Sequence, residues 1–287
     1  MKGLACRCLS HNIKYSHLCT HLFLQLRRES VSMMNSHNAI VQRLSREALA
    51  DIEGLDALKH GFEREECCGP VPAKLPGSMT LTEHLFLSSD VGAKDWESNL
   101  RNVAGYDALN SKVKELENVQ LTVFHRPGPD ECLLRFLYDE KLQSVIITQY
   151  SCITSGEFPW ESKGSVPCDR SNDAFVFVCS HHQRDGRCGY CGTVLLELLR
   201  NAIKEKKGGD ACIYVYPCSH VGGHMYAGNV LVYTKRGGIC FGCIKPSDVD
   251  SLADLLVRGD GAIPDSLESR IRGKIGFTQG GLNCSVM

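Results

Sequence analysis

Two neighbouring stretches decide how this chain is read. The first is Val176-Phe-Val-Cys-Ser-His-His-Gln-Arg-Asp-Gly-Arg-Cys-Gly-Tyr-Cys-Gly192; the second is Pro217-Cys-Ser-His-Val-Gly-Gly-His-Met-Tyr-Ala-Gly-Asn-Val230. Eight residues separate Cys179 from Cys188, and three separate His220 from His224. An apolar run from Ala174 to Val178 leads into Cys179, and another from Ile213 to Tyr216 leads through Pro217 into the histidine pair. Short apolar runs bounded by glycine and proline read as buried strands. Loops at the ends of two adjacent strands would bring two thiolates and two imidazoles to one inorganic centre.

That donor set suits zinc or an iron–sulfur cluster. Zinc knuckles usually space their paired ligands about two to four residues apart, so the cysteine loop is loose for a single ion. A larger two-iron, two-sulfide group can be wrapped by a long loop. Histidine ligands on one iron are known from Rieske centres. Rieske loops mix Cys and His, however, whereas here each loop carries one ligand type.

The segment Cys-Ser-His-His-Gln-Arg-Asp-Gly-Arg-Cys-Gly-Tyr-Cys-Gly, with Pro-Cys-Ser-His-Val-Gly-Gly-His-Met-Tyr-Ala-Gly-Asn-Val, closely resembles the sucrase/ferredoxin-like family of thioredoxin-like ferredoxins. The resemblance extends over roughly residues 66–258 and is strongest over 172–258. It implies a [2Fe–2S] cluster held by Cys179, Cys188, His220 and His224, on a thioredoxin-like ferredoxin domain preceded by a second, degenerate thioredoxin-like α/β domain. It also implies an electron-transfer protein working with redox partner proteins, a reductase or an acceptor: a redox carrier rather than an enzyme with its own substrate. Neutral imidazole ligands should raise the potential above that of an all-cysteine ferredoxin, and their second N–H couples electron transfer to a proton. Gly222 and Gly223 would let backbone amides approach the cluster. No carboxylate pair in a glycosidase context supports the sucrase half of the family description.

A rival reading uses Cys188 and Cys191, which spell Cys-Gly-Tyr-Cys at a helix start, as a thiol–disulfide pair with a thiol pKa depressed by the helix N-terminus. It leaves Cys179, His220 and His224 without a role. In the cluster reading Cys191 lies just behind the ligands. A zinc-stabilised binding module is the third reading, and His181 and His182 read as loop residues near the site.

Outward from this centre, the 287 residues can bury a sizeable core, and a net charge of −1 gives no basic surface for nucleic acid or acidic membranes. Sixteen cysteines, without an apolar run of about 20 residues to span a bilayer, favour metal chemistry in a reducing compartment. Residues 1–62 form an N-terminal extension. It is Arg- and Ser-rich and nearly free of acids as far as Arg46, the composition of a mitochondrial transit peptide. Residues 63–150 make the N-terminal α/β domain, entered through Cys67-Cys68-Gly-Pro-Val-Pro, with strands at His84–Ser89, Val119–His125, Cys132–Tyr138 and Ser144–Tyr150, and a largely helical Trp96–Leu116. Residues 151–172 read as a linker, and 173–258 as the ferredoxin domain. Within that domain a helix is expected over Thr193–Lys206, a hairpin over Asn229–Thr234 and Gly238–Cys243, and a final helix after Pro246. Residues 259–287 read as a flexible tail in which Arg270, Arg272 and Lys274 form a basic patch. The tail ends Cys284-Ser-Val-Met, a prenylation-type motif that would attach the protein to a membrane. The location is accordingly mitochondrial or cytoplasmic.

Overall fold

The computed structural model describes residues 34–64, 75–77, 79–128, 131–151, 157–161, 165–207 and 212–277. The expected transit segment up to residue 33, Cys67-Cys68 and Cys284 lie outside the described residues.

Residues 34–64 carry short helices α1 (His37–Val41), α2 (Arg46–Ile52) and α3 (Ala57–His60), capped in turn by Ser36, Ser45 and Asp56. Each capping side chain accepts a hydrogen bond from a first-turn amide, the usual way a helix start satisfies its orphan donors. Next come β1 (Glu83–Ser89), α4 (Tyr106–Val113), β2 (Val119–His125), β3 (Cys132–Asp139), β4 (Ser144–Ser151) and β5 (Val166–Asp169). The second half runs β6 (Ala174–Cys179), α5 (Gly186–Lys207), β7 (Ile213–Cys218), β8 (Val230–Thr234), β9 (Gly237–Phe241), α6 (Val249–Arg258), α7 (Asp265–Glu268) and β10 (Ile271–Gly276).

The fold is mixed α/β, built on a ten-stranded sheet in the order β10-β9-β8-β6-β7-β2-β1-β3-β4-β5. Within it one pattern occurs twice. β1 pairs parallel with β2 and antiparallel with β3, which pairs antiparallel with β4. β6, β7, β8 and β9 repeat those relations in the same chain order. The second strands of the two patterns, β2 and β7, meet antiparallel at Phe124 and Cys218, so one sheet runs through both halves. The stretch expected as a linker contributes β5, an exposed edge strand on β4.

Alternation along the strands explains the layers. Leu85 and Leu87 of β1 pack with Trp96, Leu109 and Val113 on the α4 side. Phe86, between them, stacks on Phe177 of β6 with ring centroids 3.7 Å apart, and Phe136 of β3 stacks on Tyr233 of β8 at 4.3 Å. Rings from both halves therefore share an aromatic core, while α5 covers β6 and β7 and is itself flanked by α2, α3 and α6. Inside this core His84 is hydrogen-bonded through Nδ1 to Tyr233 Oη (2.6 Å) and through Nε2 to Thr122 Oγ1 (2.7 Å). Burial pulls its pKa down to about 3.

Three expectations change. Of Trp96–Leu116 only α4 is helical; Asn99 and Asn102 turn their side-chain oxygens onto the amides of Arg101 and Glu97, and such local bonds compete with a helix. The helix expected from Thr193 starts at Gly186, taking in Cys188 and Cys191. Gly189 and Gly192 lower its helix propensity, but a Cβ at Gly192 would overlap the Cys179 carbonyl and the Ser180 hydroxyl, so glycine is what lets α5 approach the end of β6. Finally, the segment expected as a flexible tail supplies α7 and β10, which pairs with β9. Its glycines 273 and 276 sit in that ladder rather than loosening the chain.

Candidate metal centre

β6 delivers Cys179 as its last residue, with the Cys179 amide donating to the Asn229 carbonyl at 3.0 Å. The chain turns through residues 180–185. Asp185 then takes the amide of Arg187 at 2.9 Å and both arms of its guanidinium at 3.0 and 2.9 Å, fixing the start of α5. Cys188 follows in the first turn, fully buried. On the neighbouring strand β7 continues through Pro217 to Cys218, and Ser219 exchanges hydrogen bonds with Val123 of β2 on both its amide (2.7 Å) and its hydroxyl (3.0 Å). That register sets where His220 emerges.

His220 Nδ1 lies 3.8 Å from Cys188 Sγ and 4.0 Å from Cys179 Sγ. The three ligand atoms all fall within 4.8 Å of one another. Gly222 and Gly223 take left-handed backbone, φ 82° and 67°, which only glycine adopts without strain. The turn leads into a 3-10 segment, His224–Tyr226. His224 is exposed and stands outside the triad, its ring centroid 5.6 Å from that of His220. The structure thus brings together Cys179, Cys188 and His220 and places His224 beside them at the rim.

The two thiols are unequal. Cys188 donates its S–H to Cys179, and that bond, with His220 and the Val221 amide, holds the Cys179 pKa well below the ordinary thiol value. The same bond and burial push Cys188 well above it. The helix-start cysteine expected to be acidic is thus the one pushed up, and the strand-end cysteine the one held down. Soft, buried donors of this kind fit zinc or an iron–sulfur group.

Cys191, one turn further along α5, is buried elsewhere: its Sγ donates to the His60 carbonyl at 3.4 Å and accepts from Arg64 Nη1 at 3.5 Å. The arm formed by α3 and Arg64 thus closes over it, away from solvent. Gly223 abuts the Arg272 guanidinium, which a Cβ would overlap.

Three residues take structural roles that the sequence reading did not assign them. His181 is buried, donates Nε2–H to the Glu97 carbonyl at 3.0 Å and packs edge-on against Trp96. Its pKa is lowered chiefly by burial. Arg272, read as part of a basic patch, is buried beneath the histidine loop, and Arg270 pairs with Asp248 at 3.2 Å. Asn229 joins Arg272 to that loop. The one available signal was position: Asn229 opens the apolar run of β8, and Arg272 alternates with Ile271 as a strand residue would.

Residues 75–271 match the family described as sucrase/ferredoxin-like. Among curated proteins, the chain is 30% identical over 102 residues to "Altered inheritance of mitochondria protein 32" of Meyerozyma guilliermondii, covering 35% of this chain and 36% of that one. It is 36% identical over 94 residues to the protein of the same name in Debaryomyces hansenii, covering 31% and 33%. With "Actin patches distal protein 1" of Saccharomyces cerevisiae it shares 32% over 109 residues, covering 34% and 33%. The matches thus span about a third of these relatives' length. No solved structure gives a significant match.

Proposed function

The chain belongs to the sucrase/ferredoxin-like family, and from that premise we propose that it is an electron-transfer protein whose Cys179, Cys188, His220 and His224 hold a [2Fe–2S] cluster. The observation that carries the reading is the convergence of a buried dithiol and His220, with His224 next in line, from the ends of the parallel pair β6 and β7. Ligands of one ion at about 2.0–2.3 Å lie about 3.6 Å apart, which suits the three close donors, while the His224 ring stands 5.6 Å from that of His220. A two-iron group has reach for all four.

When bound, that group supplies one-electron transfer. The chain's own residues do the rest. Cys179 and Cys188 hold negative charge in a water-excluded pocket. The exposed His224 gives the site its edge towards a partner protein, and an imidazole ligand's second N–H is what would couple the potential to pH. The repeated strand order supports describing each half as thioredoxin-like, and the names of the fungal relatives support a mitochondrial connection. Among the described residues no helix is long and apolar enough to cross a membrane.

A second reading, a zinc ion on Cys179, Cys188 and His220 with an open fourth position, is favoured by the 3.8 and 4.0 Å separations. Metal and sulfide analysis of anaerobically purified protein separates the two. Equal iron and sulfide is expected; zinc without sulfide would replace the electron-carrier reading with the zinc one.

A further inference from the structure

We propose that Arg272 and Asn229 form a clamp that positions the histidine loop, making Arg272 a positioning residue of the metal centre. The inference rests on the reading above for the identity of the bound group.

Arg272 lies on the edge strand β10 but is only 8% exposed. A buried charge is costly unless hydrogen-bonded; apart from a 4.0 Å contact to Cys240 Sγ of β9, its partners belong to the surroundings of the histidine loop. Nη1 donates to Asn229 Oδ1 at 2.7 Å and to the Gly222 carbonyl at 3.3 Å, and the guanidinium lies 5.6 Å from the Tyr226 ring centroid. Asn229 completes the ring by donating Nδ2 to the Gly223 carbonyl at 3.0 Å. Its own backbone carbonyl holds the Cys179 amide. One residue therefore ties the cysteine strand to the histidine loop, and Arg272 locks it.

The clamp answers a specific problem. A turn of two left-handed glycines between two ligands is the conformationally freest part of the site, yet both imidazoles must be presented at fixed positions. Holding both glycine carbonyls removes that freedom. It also explains Gly223, where any Cβ would strike the guanidinium. Both bonds leave from Nη1, and a lysine ammonium ends one bond short of that position, so it cannot hold Asn229 and Gly222 in this arrangement. Among the described residues no carboxylate forms an ion pair with Arg272.

The test compares wild type, Arg272→Lys and Asn229→Ala after anaerobic loading with iron and sulfide and, separately, with Zn²⁺. Melting temperature, metal loss to a chelator and histidine-nitrogen coupling in the reduced iron spectrum are read. The clamp predicts near-wild-type melting, metal retention weakened by about 10-fold to 100-fold, the range for residues that orient ligands, and weakened nitrogen coupling. An Arg272→Lys protein that retains metal and nitrogen coupling like wild type overturns it. Should the lysine variant fail to fold, Asn229→Ala decides by the same readouts. Wild type that takes up zinc but no iron and sulfide contradicts the electron carrier, and the clamp is then judged on zinc retention alone.

Discussion

The two halves of the sheet share a strand order and differ in what closes the strand ends. In the second half β6 ends on Cys179 and β7 runs out towards His220, with glycines holding the next helix and turn close. At the matching place in the first half β1 ends on Ser89, whose hydroxyl accepts from the Val91 amide at 3.1 Å and from Trp96 Nε1 at 3.4 Å. β2 ends on His125, whose Nδ1 donates to the Ser89 carbonyl at 3.1 Å. One half leaves soft donors facing each other; the other ties Ser89 and His125 into local hydrogen bonds and fills the space with a buried Trp96. The fold supplies a place, and the side chains decide whether it holds chemistry. The silent half still contributes, because Trp96 and the Glu97 carbonyl wall in His181 beside the centre.

That contrast breaks most sharply at Cys179. Cys179→Ser removes the thiolate, and metal retention should fall by more than the roughly 100-fold that loss of an orienting residue can cost; Ser89→Cys, at the matching position, should confer no second metal equivalent. Metal-to-protein ratios after desalting measure both.

Next in size is Gly192→Ala. The added methyl overlaps the Cys179 carbonyl and the Ser180 hydroxyl, and overpacking of this kind costs about 1–3 kcal/mol. A lower melting temperature is expected for the metal-free protein too, which distinguishes a helix pushed off β6 from a lost ligand.

A pH-dependent effect probes the core the halves share. His84 is held neutral when folded, with its pKa pulled down to about 3, against an ordinary 6.5 when unfolded. Acid then favours the unfolded chain. The contribution is fully present above about pH 6.5 and is lost at up to about 1.4 kcal/mol per pH unit between there and about pH 3. Denaturant titrations across this window should show the slope, and His84→Gln should flatten it. The smallest effect is expected at Arg184, on the exposed loop: Arg184→Ala should leave metal content and melting unchanged.

Legibility followed the same division. The strands were readable because Val, Ile, Phe and Tyr alternate in short runs, as in Ala174 to Cys179, and the meeting of Cys179, Cys188 and His220 because their placement after two strand-like runs is visible in the sequence. What stayed hidden depended on partners distant in sequence. Asn229 and Arg272 meet across 43 positions, and although Asn229 falls within the histidine stretch, nothing local joins the two. The early start of α5 was hidden by Gly189 and Gly192, whose low propensity is overridden by close packing. The helix expected over Trp96–Leu116 forms only in its later part, because asparagine side chains capture amides that a helix would need near its start.

The most direct test of the central claim is an absorption and electron paramagnetic resonance measurement on anaerobically purified protein beside the His220→Cys/His224→Cys double variant. The account predicts a reddish wild-type protein with a Rieske-like reduced signal, and a variant whose signal shifts to that of an all-cysteine ferredoxin. A colourless wild-type protein, or an iron signal unchanged by the double substitution, would contradict it.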